Sequence, residues 1–129
     1  MHPARILIVD DHAAVRRAVR FTLQDCADAE VVGEAANGLE AMEKSESLQP
    51  DLIIMDVSMP VIDGLLAAES IKRNLPTTAI LIFSSHNGPQ LLEKAKRLGL
   101  QGFVSKDENG GSLLKAVDAA LHDRTYFPG

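Results

Sequence analysis

The chain has 129 residues, a length that suits a single domain with a sizeable apolar core. Hydrophobic residues make up 46% of the chain and charged residues 24%, which is typical of a soluble globular protein. The net charge of -5 at pH 7 argues against direct binding of a nucleic-acid backbone.

The cysteine count and the apolar runs indicate the compartment. The single cysteine, Cys26, excludes an internal disulfide and favours a reducing environment. No apolar run approaches the roughly 20 residues of a membrane span. The opening residues, MHPARILIVDD, lack the pattern of a signal peptide. We therefore expect a cytoplasmic protein that does not associate with a membrane.

The first half of the chain is predicted to form strand, helix, strand and helix. Residues 5–10 (RILIVD) are rich in β-branched side chains and predict a strand, and a helix begins at Asp11 or His12. The residues spaced for its buried face are Val15, Ala18, Val19, Thr22 and Cys26. Those on its solvent side are Arg16, Arg17 and Arg20. Residues 30–35 predict a less apolar strand nearer a sheet edge, and residues 39–48 a second helix.

The central stretch, residues 50–64 (PDLIIMDVSMPVIDG), carries the strongest signal. Its apolar run LIIM is bounded by turn residues and predicts a fully buried strand that ends in Asp56. Pro60 stops regular structure, and Asp63-Gly64 indicates a turn. In an open parallel sheet, ligands bind at the edge formed by the carboxyl ends of the strands. Asp56 is therefore the leading candidate for a reactive residue.

The second half repeats the alternation. Residues 65–75 and 88–98 predict helices, residues 79–83 a strand followed by Ser84, and residues 102–105 a short strand that ends at Lys106. A last helix is predicted to turn one face inward through Leu113, Leu114, Val117, Ala120 and Leu121. Residues 1–124 would form the domain, and residues 125–129 the start of a linker or a C-terminal tail.

Successive strand–helix pairs predict an α/β domain with a parallel sheet and right-handed crossovers. In a doubly wound sheet of strand order 2-1-3-4-5, the flavodoxin-like arrangement, the switch point lies between the first and third strands. That edge would bring Asp10 and Asp11 close to Asp56, with Ser84 and Lys106 beside them.

The clustered acids predict phosphoryl chemistry that uses a metal. Neighbouring carboxylates repel one another, and Mg²⁺ is a hard cation that prefers carboxylate, carbonyl and phosphate oxygens. An aspartate can act as a nucleophile and form an aspartyl-phosphate, and phosphoryl transfer depends mainly on positioning and charge neutralisation. We expect Asp56 as the nucleophile, Asp10 or Asp11 as metal ligands, Lys106 as a cation on the far side and Ser84 as a hydroxyl donor.

Four motifs in order resemble the receiver domain of bacterial two-component response regulators over nearly the whole chain. They are LIVDDH (7–12), DLIIMDVSMPVIDG (51–64), FSS (83–85) and GFVSKD (102–107). The resemblance implies a CheY-like fold of five strands and five helices. It also implies a phospho-acceptor that takes a phosphoryl group from a sensor histidine kinase and controls an output, rather than an enzyme.

The same resemblance implies a role for each site residue. Asp56 would be the phospho-acceptor, and Mg²⁺ would be held by Asp11, Asp56, the backbone carbonyl of Ser58 and, through water, Asp10. Lys106 would pair with the phosphate. Ser84 would be the switch hydroxyl and Phe103 its aromatic partner, together altering the surface of helix four, strand five and helix five.

Two details resemble the NarL/FixJ type of receiver. Asp107 follows Lys106 where many receivers have proline, and LHDRTYFP is similar to the end of that type's receiver. In such proteins a LuxR-type helix-turn-helix domain follows, so DNA would be bound only through a domain absent here. A homodimer on phosphorylation is a further expectation. Ser85 departs from the alanine of many receivers and would narrow the phosphoryl pocket.

Alternative functions and simpler structural roles stay open from the residues alone. A haloacid dehalogenase-type phosphohydrolase would need an aspartate at position 58, where this chain has Ser58. A flavodoxin-like FMN carrier would need a Ser/Thr/Gly phosphate loop where this chain has Asp10-Asp11. Taken singly, Asp11 is a helix cap and Lys106 a solvated charge. Only their convergence with Asp56 would argue otherwise.

Overall fold

The computed structural model describes residues 2–59, 63–86, 88–108 and 110–128, and within these ranges five strands alternate with five helices. The strands are β1 (Ala4–Val9), β2 (Ala29–Ala35), β3 (Leu52–Met55), β4 (Ala79–Ser84) and β5 (Gly102–Ser105). The helices are α1 (Ala13–Leu23), α2 (Gly38–Leu48), α3 (Gly64–Asn74), α4 (Pro89–Arg97) and α5 (Gly110–Leu121). Every predicted element is present. Pro60, the predicted stop after β3, lies outside the described residues.

The strands form one parallel sheet in the order β2-β1-β3-β4-β5. This order confirms the predicted doubly wound α/β fold. β3 lies in the centre, and all of its side chains are buried, because helices cover both faces of the sheet. β2 lies at an edge and is mostly half-buried, as its lower apolar content predicts.

Alternate side chains of the central strands pack on opposite faces of the sheet. Leu7, Ile53 and Ile80 pack with the buried faces of α2, α3 and α4, whereas Ile8 and Ile54 pack with α1 and α5. This two-sided burial explains why the strands have near-continuous apolar runs. Among the described residues, no helix combines the length and the apolarity that crossing a membrane requires.

The buried faces of α1 and α5 differ from the prediction at two positions. Ala18 and Leu114 were predicted to face inward, and both are exposed. α1 packs on the sheet through Val19 and Leu23. The contact stripe of each helix is therefore narrower than the apolar pattern suggests, because a surface helix buries only the residues directly over the sheet.

The C-terminal residues run beside β5 rather than away from it. Tyr126 forms a parallel bridge with Gly102, its N–H donates to the Gln101 carbonyl over 3.0 Å, and its carbonyl accepts from the Phe103 N–H over 2.8 Å. The ammonium of Lys96 lies 5.3 Å from the centroid of the Phe127 ring. Residues 125–129 were predicted to be the start of a linker or a C-terminal tail, and of these the structure describes residues 125–128. In the fold they cover part of the edge of β5.

Candidate functional site

Polar residues that directly follow the strands meet at the carboxyl edge of the sheet. The N–H of Asp56 donates to the Val9 carbonyl over 3.0 Å, and the N–H of Lys106 donates to the Ser84 carbonyl over 2.9 Å. The ladder hydrogen bonds thus continue one residue beyond β3 and β5. These hydrogen bonds fix the backbone position of both Asp56 and Lys106.

Lys106 joins the two nearly buried acids of this edge. Its Nζ donates to Oδ2 of Asp10 over 2.7 Å and to Oδ2 of Asp56 over 3.2 Å. The side chains of the two acids are only 3% and 5% exposed. From the sequence, Lys106 was predicted to lie on the far side of the acids. In the structure its ammonium lies between Asp10 and Asp56. Buried carboxylates need a counter-charge at hydrogen-bond distance.

The position of Lys106 also affects its own titration. Burial by itself would lower the pKa of Lys106, but the hydrogen bonds and charges of Asp10 and Asp56 outweigh it and raise the pKa above its ordinary value. The lysine is therefore an ammonium ion throughout the physiological pH range. Its charge compensates only part of the negative charge of the acid cluster.

The remaining carboxylate oxygens indicate room for a cation. Oδ1 of Asp10 accepts from the His12 N–H over 2.9 Å, and Oδ1 of Asp56 accepts from the Ser58 N–H over 3.2 Å. Oδ1 of Asp11 is buried and accepts no hydrogen bond from the described part of the chain, although Nδ1 of His12 lies 3.1 Å away. Ligand atoms of Asp10, Asp11 and His12 lie within 4.8 Å of one another. The buried Asp11 oxygen, which has no donor among the described residues, and the carboxylate of Asp10 fit a hard cation such as Mg²⁺, whereas His12 would contribute a nitrogen.

Ser84 and Phe103 lie deeper than the acids. Both are fully buried, Ser84 at the end of β4 and Phe103 in the apolar core. The hydroxyl oxygen of Ser84 accepts from the His86 N–H over 3.1 Å and so holds the start of the β4–α4 loop. Ser85 is exposed, so its side chain does not fill the site.

Gly64 supports the loop of Asp56 in a way that sequence reasoning did not identify. A Cβ at Gly64 would lie 2.0 Å from the carbonyl oxygen of Asp56 and 2.7 Å from Cα of Val57. The N–H of Gly64 donates to the Val57 carbonyl over 2.9 Å, and Asp63 caps the helix by accepting from the Leu66 N–H. The Asp63-Gly64 signal predicted a turn, but the close packing on the acceptor loop was not visible in it.

Arg16 is a second residue whose position differs from the prediction. It was assigned to the solvent side of α1, yet its side chain is only 18% exposed. Its Nη1 donates to the carbonyl oxygen of Asp10 over 2.6 Å, and its Nε donates to Oε1 of Glu34 over 2.8 Å. Nε of Arg20 donates to the other oxygen of Glu34 over 2.8 Å. The strand register that sets Glu34 beside α1 was not readable from the helix pattern.

The fold and this site have counterparts in known proteins. The pattern for the response regulator receiver domain matches residues 6–118. The nitrate/nitrite response regulator protein NarL of Escherichia coli K12 is 37% identical over 118 residues, which cover 92% of this chain and 55% of NarL. A protein-glutamate methylesterase/protein-glutamine glutaminase of Methanosarcina acetivorans is 43% identical over 114 residues, covering 87% of this chain and 32% of that protein.

Solved structures of receiver domains have the same fold as this chain. The isolated REC domain of RcsB from Salmonella enterica serovar Typhimurium, determined with the phosphomimetic BeF3-, superposes with a TM-score of 0.92 at 28% identity. The superposition covers 98% of this chain and 94% of that one. By contrast, the chain spans about half the length of NarL and about a third of the methylesterase. The chain therefore belongs to the family of response regulator receiver domains and is a phospho-accepting receiver.

Proposed function

We propose that Asp56 is the residue that accepts the phosphoryl group, from a phosphohistidine of a sensor histidine kinase. The observation that carries this proposal is the double contact of Lys106 with Asp10 and Asp56. An acid that is nearly buried, at the carboxyl edge of the sheet, with an ammonium group at 3.2 Å is poised for a reaction that adds negative charge.

In the proposed transfer, an oxygen of Asp56 forms a new P–O bond while the P–N bond of the donor breaks. The imidazole of the donor leaves as a neutral group after it takes up a proton from water. No side chain of this domain needs to act as a general base, because the attacking carboxylate is already ionised. We therefore propose an acceptor that takes part in its own phosphorylation, and not an enzyme that turns over a separate substrate.

The proposed Mg²⁺ ligands are Asp11, Asp56, the backbone carbonyl of Ser58 and, through water, Asp10. The unpaired, buried Oδ1 of Asp11 supports the presence of a cation here. The ion would neutralise charge on the phosphoryl oxygens. Lys106 would follow the phosphoryl group by exchanging a carboxylate oxygen for a phosphate oxygen.

Ser84 and Phe103 are the proposed switch. The Ser84 hydroxyl would turn toward the phosphoryl oxygen, and the His86 N–H that it now accepts from would lose its partner. That loss releases the first residues of the β4–α4 loop. Phe103 would change rotamer together with Ser84 and alter the surface formed by α4, β5 and α5. A local change of charge at the site would thus have a wider structural effect.

The output of the whole protein is part of the proposal. NarL is named as a nitrate/nitrite response regulator, and this chain spans 55% of it. We propose that phosphorylation favours a homodimer and acts on transcription through a C-terminal DNA-binding domain that this chain does not include. The receiver would include the bridge from Tyr126 to Gly102, and the residues after it would lead toward that partner domain.

Intact-mass analysis with acetyl phosphate tests the acceptor and the metal together. We expect the mass increment of one phosphoryl group with MgCl₂, little of it with EDTA, and none in Asp56→Ala. Asp107→Ala is the matched control, since it removes an exposed aspartate beside Lys106. Labelling of Asp56→Ala at the level of the wild-type protein would overturn the assignment of the acceptor.

A further inference from the structure

The two acids at the end of β1 are held in different ways. Asp10 is fixed through its N–H on the Ala35 carbonyl, through Oδ2 on Lys106 and through Oδ1 on the His12 N–H. Oδ1 of Asp11 accepts no hydrogen bond from the described residues. The contact given for this oxygen is Nδ1 of His12 at 3.1 Å, on a side chain that is itself 69% exposed, so the backbone on either side of Asp11 has a large part in directing its carboxylate.

One of those backbone units is held by Arg16. The carbonyl of Asp10 belongs to the peptide group that joins Asp10 to Asp11, and it accepts from Nη1 of Arg16 over 2.6 Å. A peptide group is planar, so fixing its oxygen also fixes the nitrogen of Asp11. The N–H of Arg16 donates to the His12 carbonyl over 3.1 Å, which closes the first turn of α1 immediately behind the loop.

The guanidinium of Arg16 is in turn anchored on the sheet. Glu34 of β2 accepts from Nε of Arg16 over 2.8 Å and from Nε of Arg20 over 2.8 Å. Partial burial would raise the pKa of Glu34, but the hydrogen bonds and charges of Arg20 and Arg16 outweigh it and lower the pKa. Glu34 is thus an anion at neutral pH. Its contact with Nε holds the planar guanidinium of Arg16 so that Nη1 meets the Asp10 carbonyl.

We infer that Arg16, anchored by Glu34, is a positioning residue for Mg²⁺ binding: it fixes the Asp10–Asp11 peptide so that the Asp11 carboxylate faces the cation site. This inference rests on the proposed function, in which Asp11 is a metal ligand. Arg16 is not itself a proposed ligand of the metal. It acts through the backbone of a ligand, as residues behind metal sites commonly do.

The charge of Arg16 and its positioning role predict opposite changes in Mg²⁺ affinity when Arg16 is replaced. A positive side chain near a dication weakens binding of the ion, so removing the charge alone would tighten it. Losing the hold on the Asp10–Asp11 peptide would weaken binding, because Asp11 would then have to be ordered when the ion binds. The direction of the change in Mg²⁺ affinity therefore decides between the two effects.

The test is a MgCl₂ titration of the unphosphorylated chain, followed by amide NMR shifts. We expect Arg16→Gln and Arg16→Lys to raise the half-saturating Mg²⁺ concentration about tenfold. Lysine keeps the charge but lacks the fork that reaches both Glu34 and the Asp10 carbonyl. Arg17→Gln is the control, since Arg17 is exposed on the same helix, and we expect it to stay within about twofold.

Unchanged or tighter Mg²⁺ binding in both Arg16 variants, with normal binding by the wild-type chain, would overturn the inference and leave the proposed function standing. A wild-type chain that binds no Mg²⁺ and is not labelled by acetyl phosphate would overturn both. Thermal unfolding identifies a variant that fails to fold. Arg16→Lys, the milder change, then provides the deciding titration.

Discussion

Lys106 and Asp56 are 50 residues apart in the sequence, yet Nζ of the lysine donates to Oδ2 of the aspartate over 3.2 Å. The same ammonium donates to Asp10 over 2.7 Å. Both acids are nearly buried, so this contact stabilises the acid edge before any phosphoryl group arrives. It also leaves a cation within reach of the oxygen that we propose to become phosphorylated.

Lys106→Met should destabilise the domain, because two buried carboxylates would then face each other without their ammonium. We expect the free energy of unfolding at pH 7 to fall by about 2–4 kcal/mol, as measured by urea titration. Lys115→Met is the control, since Lys115 is exposed on α5; its expected change is within about 0.5 kcal/mol. Equal losses in the two variants would show that the contact adds no stability.

Glu34 should give the domain an acid-dependent contribution to stability. Its pKa is lowered by folding, so its contribution is present above the unfolded pKa of about 4.3 and disappears as the pH falls through the folded value. We expect Glu34→Gln to lose about 0.5–1.5 kcal/mol at pH 7, and the difference from the wild-type protein to shrink as the pH falls below the unfolded pKa. Glu46→Gln, at an exposed position of α2, should have little effect on stability at pH 7 or in acid. A Glu34→Gln deficit that persists in acid would contradict the assignment.

Gly64→Ala should disturb the acceptor loop, because the new Cβ would lie 2.0 Å from the carbonyl oxygen of Asp56. We expect a loss of about 1–3 kcal/mol and slower labelling by acetyl phosphate. Gly88→Ala is the matched control, since nothing lies within 4 Å of a Cβ there. We expect it to lower the free energy of unfolding by about 1 kcal/mol or less. If Gly64→Ala behaves like Gly88→Ala, the close packing has no effect on the loop.

Ser84→Ala should separate phosphorylation from its structural effect. The acceptor and the cation sites remain, so labelling of Asp56 should continue. The hydroxyl proposed to follow the phosphoryl group is gone, so the amide shift changes in α4 and β5 on phosphorylation should shrink. Ser85→Ala, at the exposed neighbouring position, should respond like the wild-type chain. Full shift changes in Ser84→Ala would remove Ser84 from the switch.

Deleting residues 125–128 should destabilise the edge of β5. The Phe103 N–H and the Gln101 carbonyl would lose their partners on Tyr126, and we expect a loss of about 1–2 kcal/mol in urea unfolding. Thr125→Ala in the full chain is the control, since Thr125 is exposed. A boundary of the folded unit at residue 124 predicts instead that the deletion costs nothing.

The strands were predictable because buried parallel strands have long apolar runs, and a polar residue after each run marks the edge of the sheet. Their order followed from the doubly wound arrangement and not from the runs themselves. That pattern located Asp10, Asp56, Ser84 and Lys106 at strand ends, where the structure has them. Their roles as acceptor, ligand and switch remain predictions.

The contacts between elements were not predictable in the same way. The Arg16–Glu34 contact depends on the register of β2 beside β1, where Glu34 pairs with Ile8. The bridge from Tyr126 to Gly102 depends on an uncovered strand edge. A helical or strand period describes a single segment, so it contains no information on which partner a polar side chain will meet.

The tethered ammonium of Lys106 also bears on ion selectivity. A monovalent counter-ion is already supplied at high effective concentration by the chain itself. Dissolved potassium or sodium would bring no more charge than this resident group. A small dication adds twice the charge of a monovalent ion, so we expect the acid cluster to favour Mg²⁺ over dissolved sodium or potassium.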